Sequence, residues 1–423
     1  MMRHNVLAGT LVVLMCATPA RAQAPAMERV TFDEAVRRAL EKSPTVAQAA
    51  EAIRRAEGLL QQARAATLPG VSASFSNVVL DSGRGFDSQI VQPRSQATLA
   101  ADVTMPVLAA SRWAAAAQAR DQIDVATLSA SDIRRQIGVA TAQTYLAVVT
   151  QQRQVDVNIR ARDAAQAHLD YAQRRLASGA GTRLNELRAA QEVASDEARL
   201  ENARLAVRRA QEALGVLMAA YGPVDAAGDP LFDLPTTIDE PAWMAARTDV
   251  RLFAATERAA DRVWRDSFKD FFPTATASFD PQNITPSGLF QPSRTWRFTI
   301  SLSQPIFDGG QRRGQARFRQ AAAEASKLAL TSVQIQARSE VRLARETVQS
   351  TDRALASVQL AAQQAGEVLS ITNTAFEAGA TTNLEVIDAQ RSARDAEAAA
   401  EIAQDAVRRA RLDLLTALGR FPQ

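Results

Sequence analysis

The sequence predicts a mainly α protein with a small β part, built as a duplicated unit of one strand pair and one long helical hairpin. Three observations predict it. Residues 295–303 alternate strictly, with Trp296, Phe298, Ile300 and Leu302 on one face and Arg297, Thr299, Ser301 and Ser303 on the other; this is the period of a strand with one apolar and one wet face. After Pro305 and the flexible pair Gly309-Gly310, a helical pattern begins near 311 and runs without proline to about 376. The same joint occurs earlier in the chain, after Pro106, and the two halves match at an offset of 200 residues. Ala378-Gly-Ala-Thr-Thr382 answers Ser178-Gly-Ala-Gly-Thr182, and Val407-Arg-Arg-Ala410 answers Val207-Arg-Arg-Ala210. Such self-similarity at a fixed period is the mark of a repeat architecture.

The chain of 423 residues opens with Arg3 and His4, an apolar run over 6–15 and small residues ending at Ala22. This is the pattern of a secretory signal, with cleavage expected after Ala22. Cys16 follows Met15, which is bulkier than a lipidation site accepts, so an acylated Cys16 is not expected. Removal of 1–22 takes away Arg3 and Arg21 and lowers the formal charge from +3 to +1. No strong field then points to nucleic acid. The remaining chain has no cysteine, which excludes disulfides and thiol chemistry. No apolar run reaches the ~18–20 residues of a membrane helix, so any membrane crossing must be made by strands. No nucleophile–base constellation, phosphate loop or metal-ligand spacing occurs. The chain therefore reads as a protein without catalytic site, cofactor or metal. His168, the sole histidine after the signal, lies on a polar helical segment and reads as solvated.

The first repeat spans 23–222. A short amphipathic helix is expected over 31–43, with Thr31 as N-cap and Glu34 completing a capping box. Pro44 interrupts, and a second helix runs over about 45–66. Strands follow at about 71–80 and 96–105, separated by a polar loop and closed by Pro106. Helices at about 111–177 and 182–221 form the hairpin. A Pro/Asp/Gly-rich linker, 223–241, leads to the second repeat, 242–423. There, short helices at 243–247 and 249–270 precede strands at about 274–279 and 295–303. A polar loop separates those strands, and helices over about 311–376 and 382–418 follow.

The long helix carries an apolar seam: Ala337, Val341, Ala344, Val348, Thr351, Leu355, Val358, Ala362, Ala365, Leu369, Thr372 and Phe376. Steps of four and three alternate without a slip, which is a coiled-coil period. Its 66 residues at ~1.5 Å each make a rod of roughly 100 Å. The return helix has only 37, but laid end to end with the 22-residue helix before the strands it reaches 59. Each repeat thus builds one long and one composite column from a strand pair. Four strands cannot close a membrane barrel, whose smallest forms have about eight. An open edge in lipid leaves backbone groups unsatisfied at several kcal/mol each. The chain must therefore assemble with copies of itself, and a homotrimer gives twelve strands and twelve columns.

Three segments carry a resemblance to a known family: Thr31-Phe-Asp-Glu-Ala-Val with Ala39-Leu and Pro44, the joint Ser303-Gln-Pro-Ile-Phe-Asp-Gly-Gly310, and Phe376-Glu-Ala-Gly379 followed by Leu384-Glu-Val-Ile-Asp388. Over essentially the whole chain after the signal, it resembles the TolC-like outer-membrane efflux proteins. The resemblance implies a trimeric 12-stranded β-barrel in the outer membrane, continued by a periplasmic α-helical barrel. It implies a passive exit duct of a tripartite efflux pump, working with a periplasmic adaptor and an inner-membrane pump of the RND (resistance–nodulation–division) or ABC type. A type I secretion duct for proteins, or a periplasmic coiled-coil adaptor without a pore, remain the alternatives.

By the same resemblance, the hairpin turns (Gly179, Thr182 and Leu184; Phe376, Gly379, Thr382 and Leu384) form a periplasmic tip that docks the adaptor. Glu385 and Asp388 would ring its aperture. The first repeat has Asn185 and Arg188 at the matching positions, with Glu186 beside Asn185. Phe376 stands where the family often has a tyrosine. Pro106, Pro305, Phe307, Gly309 and Gly310 make the strand–helix joint. Trp113, Trp264, Phe271, Phe272 and Phe307, near the strand ends, are candidates for an interfacial aromatic girdle.

Overall fold

The computed structural model describes residues 27–86 and 89–421. The signal-like segment 1–22 and Cys16 lie outside the described residues. A short strand, β1 (Glu28–Val30), leads into α1 (Phe32–Lys42) and α2 (Pro44–Ala65). The Thr31 hydroxyl accepts the Glu34 N–H. The Glu34 carboxylate turns to Arg37 and Arg38, so only half of the expected capping box forms. Pro44 occupies the first turn of α2, where its missing N–H costs nothing.

Strands β2 (Gly70–Val79) and β5 (Ser95–Leu108) flank a small hairpin of β3 (Arg84–Phe86) and β4 (Gln89–Gln92). The hairpin occupies what reads in the sequence as a polar loop. Then come α3 (Ala110–Ala177), α4 (Arg183–Leu217), β6 (Val224–Ala226), α5 (Glu240–Ala246) and α6 (Thr248–Arg265). A 3₁₀ turn (Asp266–Phe271) precedes β7 (Thr274–Thr285), β8 (Arg294–Ser303), α7 (Gln311–Glu377) and α8 (Asn383–Ala417).

The four main strands form one antiparallel sheet in the order β2-β5-β7-β8, with the two repeats joined between β5 and β7. Register aligns the faces across all four strands. Val71, Val103, Phe279 and Phe298 form one apolar row, while Gly70, Thr104, Ser278 and Thr299 form a polar row. The apolar face is open: Val71, Phe75, Leu99, Phe298, Ile300 and Leu302 are all more than half exposed.

Several boundaries differ from expectation, for identifiable reasons. Pro106 does not end β5, which runs on to Leu108. β2 stops opposite Thr104, and the ladder to β7 shifts register between Pro106 and Leu108. A residue without an N–H is tolerated at such an edge or bulge. β7 extends through Asp280, Pro281, Gln282 and Asn283 to Thr285, absorbing the first part of the expected loop. Its neighbour β8 supplies partners for all four, while the ladder to β5 skips the pair opposite Asp280 and Pro281. α6 stops at Arg265 and tightens into the 3₁₀ turn instead of continuing to 270. The expected linker contains β6, which pairs in parallel with β1 and ties the start of the chain to the inter-repeat segment. Tyr145 on α3 pins this seam: its hydroxyl donates to Gly228 O at 2.9 Å.

Each long helix is flanked as the lengths require. α4 and α2 both pack along α3, and α8 and α6 along α7. All twelve predicted seam residues of α7 are buried or half-buried. Apolar clusters gather where the columns meet. Val30, Tyr145, Leu214 and Met218 centre one, and Trp243, Val341, Leu414 and Leu418 another. Ala142 and Leu146 of α3 meet Leu412 of α8 across Phe232, which locks the two repeats together.

The return helices end alike. Gly419 takes a left-handed φ of 66°, its N–H reaching Thr416 O while Arg420 N–H reaches Leu415 O. Ala219, 200 residues earlier, takes φ 52° with the equivalent bonds to Val216 O and Gly215 O. It ends α4 at 217 rather than near 221. An alanine in this conformation is strained by about 1–2 kcal/mol, partly offset in the unfolded chain. Ala219→Gly is expected to stabilise the protein by about 0.5–1 kcal/mol. Gly419→Ala is expected to cost about 2 kcal/mol, because its Cβ would also stand 3.0 Å from the backbone of Ala246 and Arg247. Thermal unfolding of the two variants checks both signs.

Candidate functional site

Two regions hold the candidate residues: the hairpin ends and the strand–helix joint. At the hairpin ends the two turns share one geometry. Gly179 and Gly379 have φ of 76° and 77°. Gly179 N–H bonds Leu176 O and Ala180 N–H bonds Arg175 O; Gly379 and Ala380 repeat this with Phe376 O and Ala375 O. A positive φ at this position closes a helix with least strain when the residue is glycine.

The threonines start the return helices. Thr182 accepts the Asn185 N–H at 3.3 Å. Thr382 accepts the Glu385 N–H at 3.4 Å, and the Glu385 carboxylate accepts the Thr382 N–H at 3.2 Å. Glu385 therefore completes a full capping box that Asn185 leaves half made. One carboxylate oxygen of Glu385 serves the fold, and its side chain stays exposed beside Asp388. Glu186 is engaged by Arg183. Leu184 and Leu384 are both about half exposed, an apolar pair at equivalent points of the two turns.

Phe376 is buried, 5.3 Å from the His168 ring and 5.5 Å from Tyr171, with the Arg175 guanidinium 5.8 Å from its centroid. His168 itself is 8% exposed, contrary to the solvated reading. Its Nε2 lies 2.6 Å from Asn383 Oδ1, and Asn383 Nδ2 donates to Asn185 O at 3.4 Å. Flanking residues look polar in sequence, but the neighbouring hairpin covers this side of α3.

A second cross-link escaped the sequence reading. Arg394 on α8 is buried and donates to Asp196 at 2.6 Å, while Arg391 donates to Glu192 at 2.5 Å. Glu192 and Asp196 stand one turn apart on α4, and their partners lie at the matching height of α8. Opposite charges at corresponding heights of two return helices were the available signal. Burial raises the Asp196 carboxyl above its usual range, against the pull of Arg394.

At the joint, Pro305 follows β8, and Gly309 and Gly310 take left-handed φ of 63° and 92° before α7. Asp308 was missed and organises the turn. It accepts the Gly310 N–H at 3.0 Å and the Arg312 N–H at 3.2 Å, and it pairs with the Arg312 guanidinium. Those bonds, the Arg312 side chain first, hold its pKa down at about 2. Arg312 also donates to Pro305 O and stacks 4.9 Å over Phe271. Phe307 is 88% exposed, and Trp113, Trp264, Phe271 and Phe272 are each between a third and a half exposed around the same level. Pro106 lies inside β5, so the first joint is made differently from the second.

A sheet apolar on one face, fed directly into paired helical rods, is the fold of the TolC-like outer-membrane channel subunits. The chain belongs to the outer membrane efflux protein family, whose sequence profile matches residues 35–220 and 244–420. That is a family of channels, not enzymes. Outer membrane protein OprJ of Pseudomonas aeruginosa is 33% identical over 128 residues, which are 29% of this chain and 26% of that protein. The match to OprJ thus spans about a quarter of that relative's length. A membrane protein from P. aeruginosa shares the fold at a TM-score of 0.81 with 22% identity, covering 93% of this chain and 91% of that one. The outer membrane protein VceC of Vibrio cholerae does so at 0.78 with 21% identity, covering 92% and 96%.

Replacing Arg394 by alanine is expected to leave the buried Asp196 with only Arg199, 4.0 Å away, at a cost of about 3 kcal/mol near pH 7. An acid whose folded pKa is raised destabilises above that pKa and is relieved as pH falls through it. The loss should therefore shrink toward pH 4. Amide hydrogen exchange in the first half of α8, at both pH values, measures it.

Proposed function

We propose that this protein is an outer-membrane exit duct of a tripartite efflux pump, active as a homotrimer and driven by an inner-membrane transporter. The observation that carries the reading is the sheet. Its apolar rows cross all four strands and remain open, and its edges β2 and β8 lie at the two ends of the strand order. Hydrocarbon tolerates strands only when every edge is paired. Three copies joined β8 to β2 give a twelve-stranded barrel, with the Ser/Thr face toward water and the apolar face toward outer-membrane lipid. The aromatic side chains around Phe272 and Phe307 suit the periplasmic headgroup level. A pore-free periplasmic adaptor would have to bury that apolar face, which favours the duct.

The helical rods then form a periplasmic tube ending at the Gly179 and Gly379 turns. Exposed Leu184 and Leu384 offer apolar contacts to a periplasmic adaptor, which in turn engages a pump of the RND or ABC type. Glu385 and Asp388 ring the aperture with acids, and Asn185 and Glu186 from the first repeat adjoin them. Three copies place six carboxylates around a narrow opening, which favours cations.

Purified trimers in planar bilayers are expected to conduct and to prefer cations. Glu385→Gln keeps the capping box, because glutamine can serve at that position. Combined with Asp388→Asn it should lower cation selectivity several-fold without loss of thermal stability. Unchanged selectivity moves the ring elsewhere, and folded trimers that never conduct end the duct reading.

A further inference from the structure

His168 stands where four helices meet. It projects from α3, packs on Phe376 of α7, bonds Asn383 at the start of α8, and through Asn383 reaches the Asn185 carbonyl on α4. The turn of the second hairpin is thereby fastened to both helices of the first. We propose that the His168–Asn383–Asn185 chain is a proton-sensitive latch: it holds the two hairpin ends together while the imidazole is neutral and releases them when it is protonated. The inference rests on the reading of the hairpin ends as the aperture of a duct.

The surroundings decide the sign. With Asn383 Oδ1 accepting, Nε2 carries the hydrogen of the neutral ring and Nδ1 is the site of protonation. The ring is 8% exposed, so a charge there is set in a dry site. The charged groups on the elements packed around it are engaged elsewhere or exposed, and none pairs with the imidazole among the described residues. On α3, Arg175 covers the Phe376 ring and Asp170 accepts from Gln166. On α4, Arg183 and Glu186 pair with each other. On α7, Glu377 is exposed, and on α8, Glu385 is turned to the Thr382 N–H while Asp388 is exposed. Burial lowers the pKa of His168, and the Asn383 bond opposes that only in part. A released imidazole titrates near its ordinary value of about 6.5. Since the folded pKa lies below the released one, the latched state is favoured at higher pH and loses stability as pH falls below about 6.5.

A second fastening lies away from the imidazole. The Arg394–Asp196 and Arg391–Glu192 pairs hold α8 to α4 further along the rods. They keep the hairpins associated when the latch opens, which confines the change to the ends.

The test uses the full-length trimer in planar bilayers between pH 7.5 and 5.5. Wild-type conductance is expected to rise several-fold as pH falls. His168→Gln, which keeps a donor toward Asn383 Oδ1, should remove the rise. Asn383→Asp gives the imidazolium a carboxylate but gives up the Nδ2 donor to the Asn185 carbonyl, so its effect is read at the ring and not in the conductance. A wild-type response that is flat, or that persists in His168→Gln, overturns the latch. Exchange of the histidine C2 hydrogen, read by mass spectrometry, is the independent measurement, since His168 and His4 are the two histidines of the chain. A His168 midpoint below 6.5 that moves up in Asn383→Asp supports the latch, and an unshifted midpoint overturns it. Loss of all conductance in every protein would count against the duct, while the exchange midpoints would still decide the latch.

Discussion

A β-sheet has edges, and in a lipid setting an edge cannot be left bare. That constraint governs this molecule. Each edge strand carries a row of N–H and C=O groups whose desolvation costs several kcal/mol apiece. β2 and β8 present such rows at the two ends of a four-stranded sheet. The open apolar face follows from the same demand, since lipid-facing residues must alternate with wet ones on every strand. In the proposed trimer the helical tube follows as well: strands that meet in a ring impose a ring on whatever they are joined to.

The joint between strand and helix passes that geometry on. Asp308 gathers the Gly310 and Arg312 N–H groups and the Arg312 side chain, and Arg312 reaches back to Pro305 O and over Phe271. The direction in which α7 leaves β8 is therefore set by a compact ionic turn, not by a flexible linker. The first repeat makes its joint by running β5 past Pro106 into a bulge ahead of α3. Two different local solutions thus lead from a strand into a long helix.

Much of this architecture was legible in the residues. The alternation over 295–303, the proline-free runs and the 200-residue offset depend on periodicity, which a local pattern carries faithfully. The seam from Ala337 to Phe376 was readable for the same reason. What was not legible depends on partners distant in the chain. Asp280, Pro281, Gln282 and Asn283 carry every sign of a loop, yet β8 aligned beside them makes them a strand. β1 and β6 are three residues each and exist only because they find one another across 196 positions. Among site residues, Gly179, Gly379, Thr182 and Thr382 were readable as turn chemistry. His168 was misread because its cover comes from the opposite hairpin. Asp196 and Arg394 carry no local mark that they are buried.

The unbroken four-and-three stepping of α7 has a consequence for how such a protein can change. A rod whose packing repeats every seven residues cannot be shortened by one or two positions without turning its apolar stripe away from its neighbours. It can lose whole periods only, and α8 must lose the same number for the Gly379 turn to stay at the end. The matched repeat faces the same demand, because His168 and Asn383 must remain level. Reach across the compartment is therefore inherited in discrete increments, cut simultaneously from four helices, and point mutation alone cannot tune it.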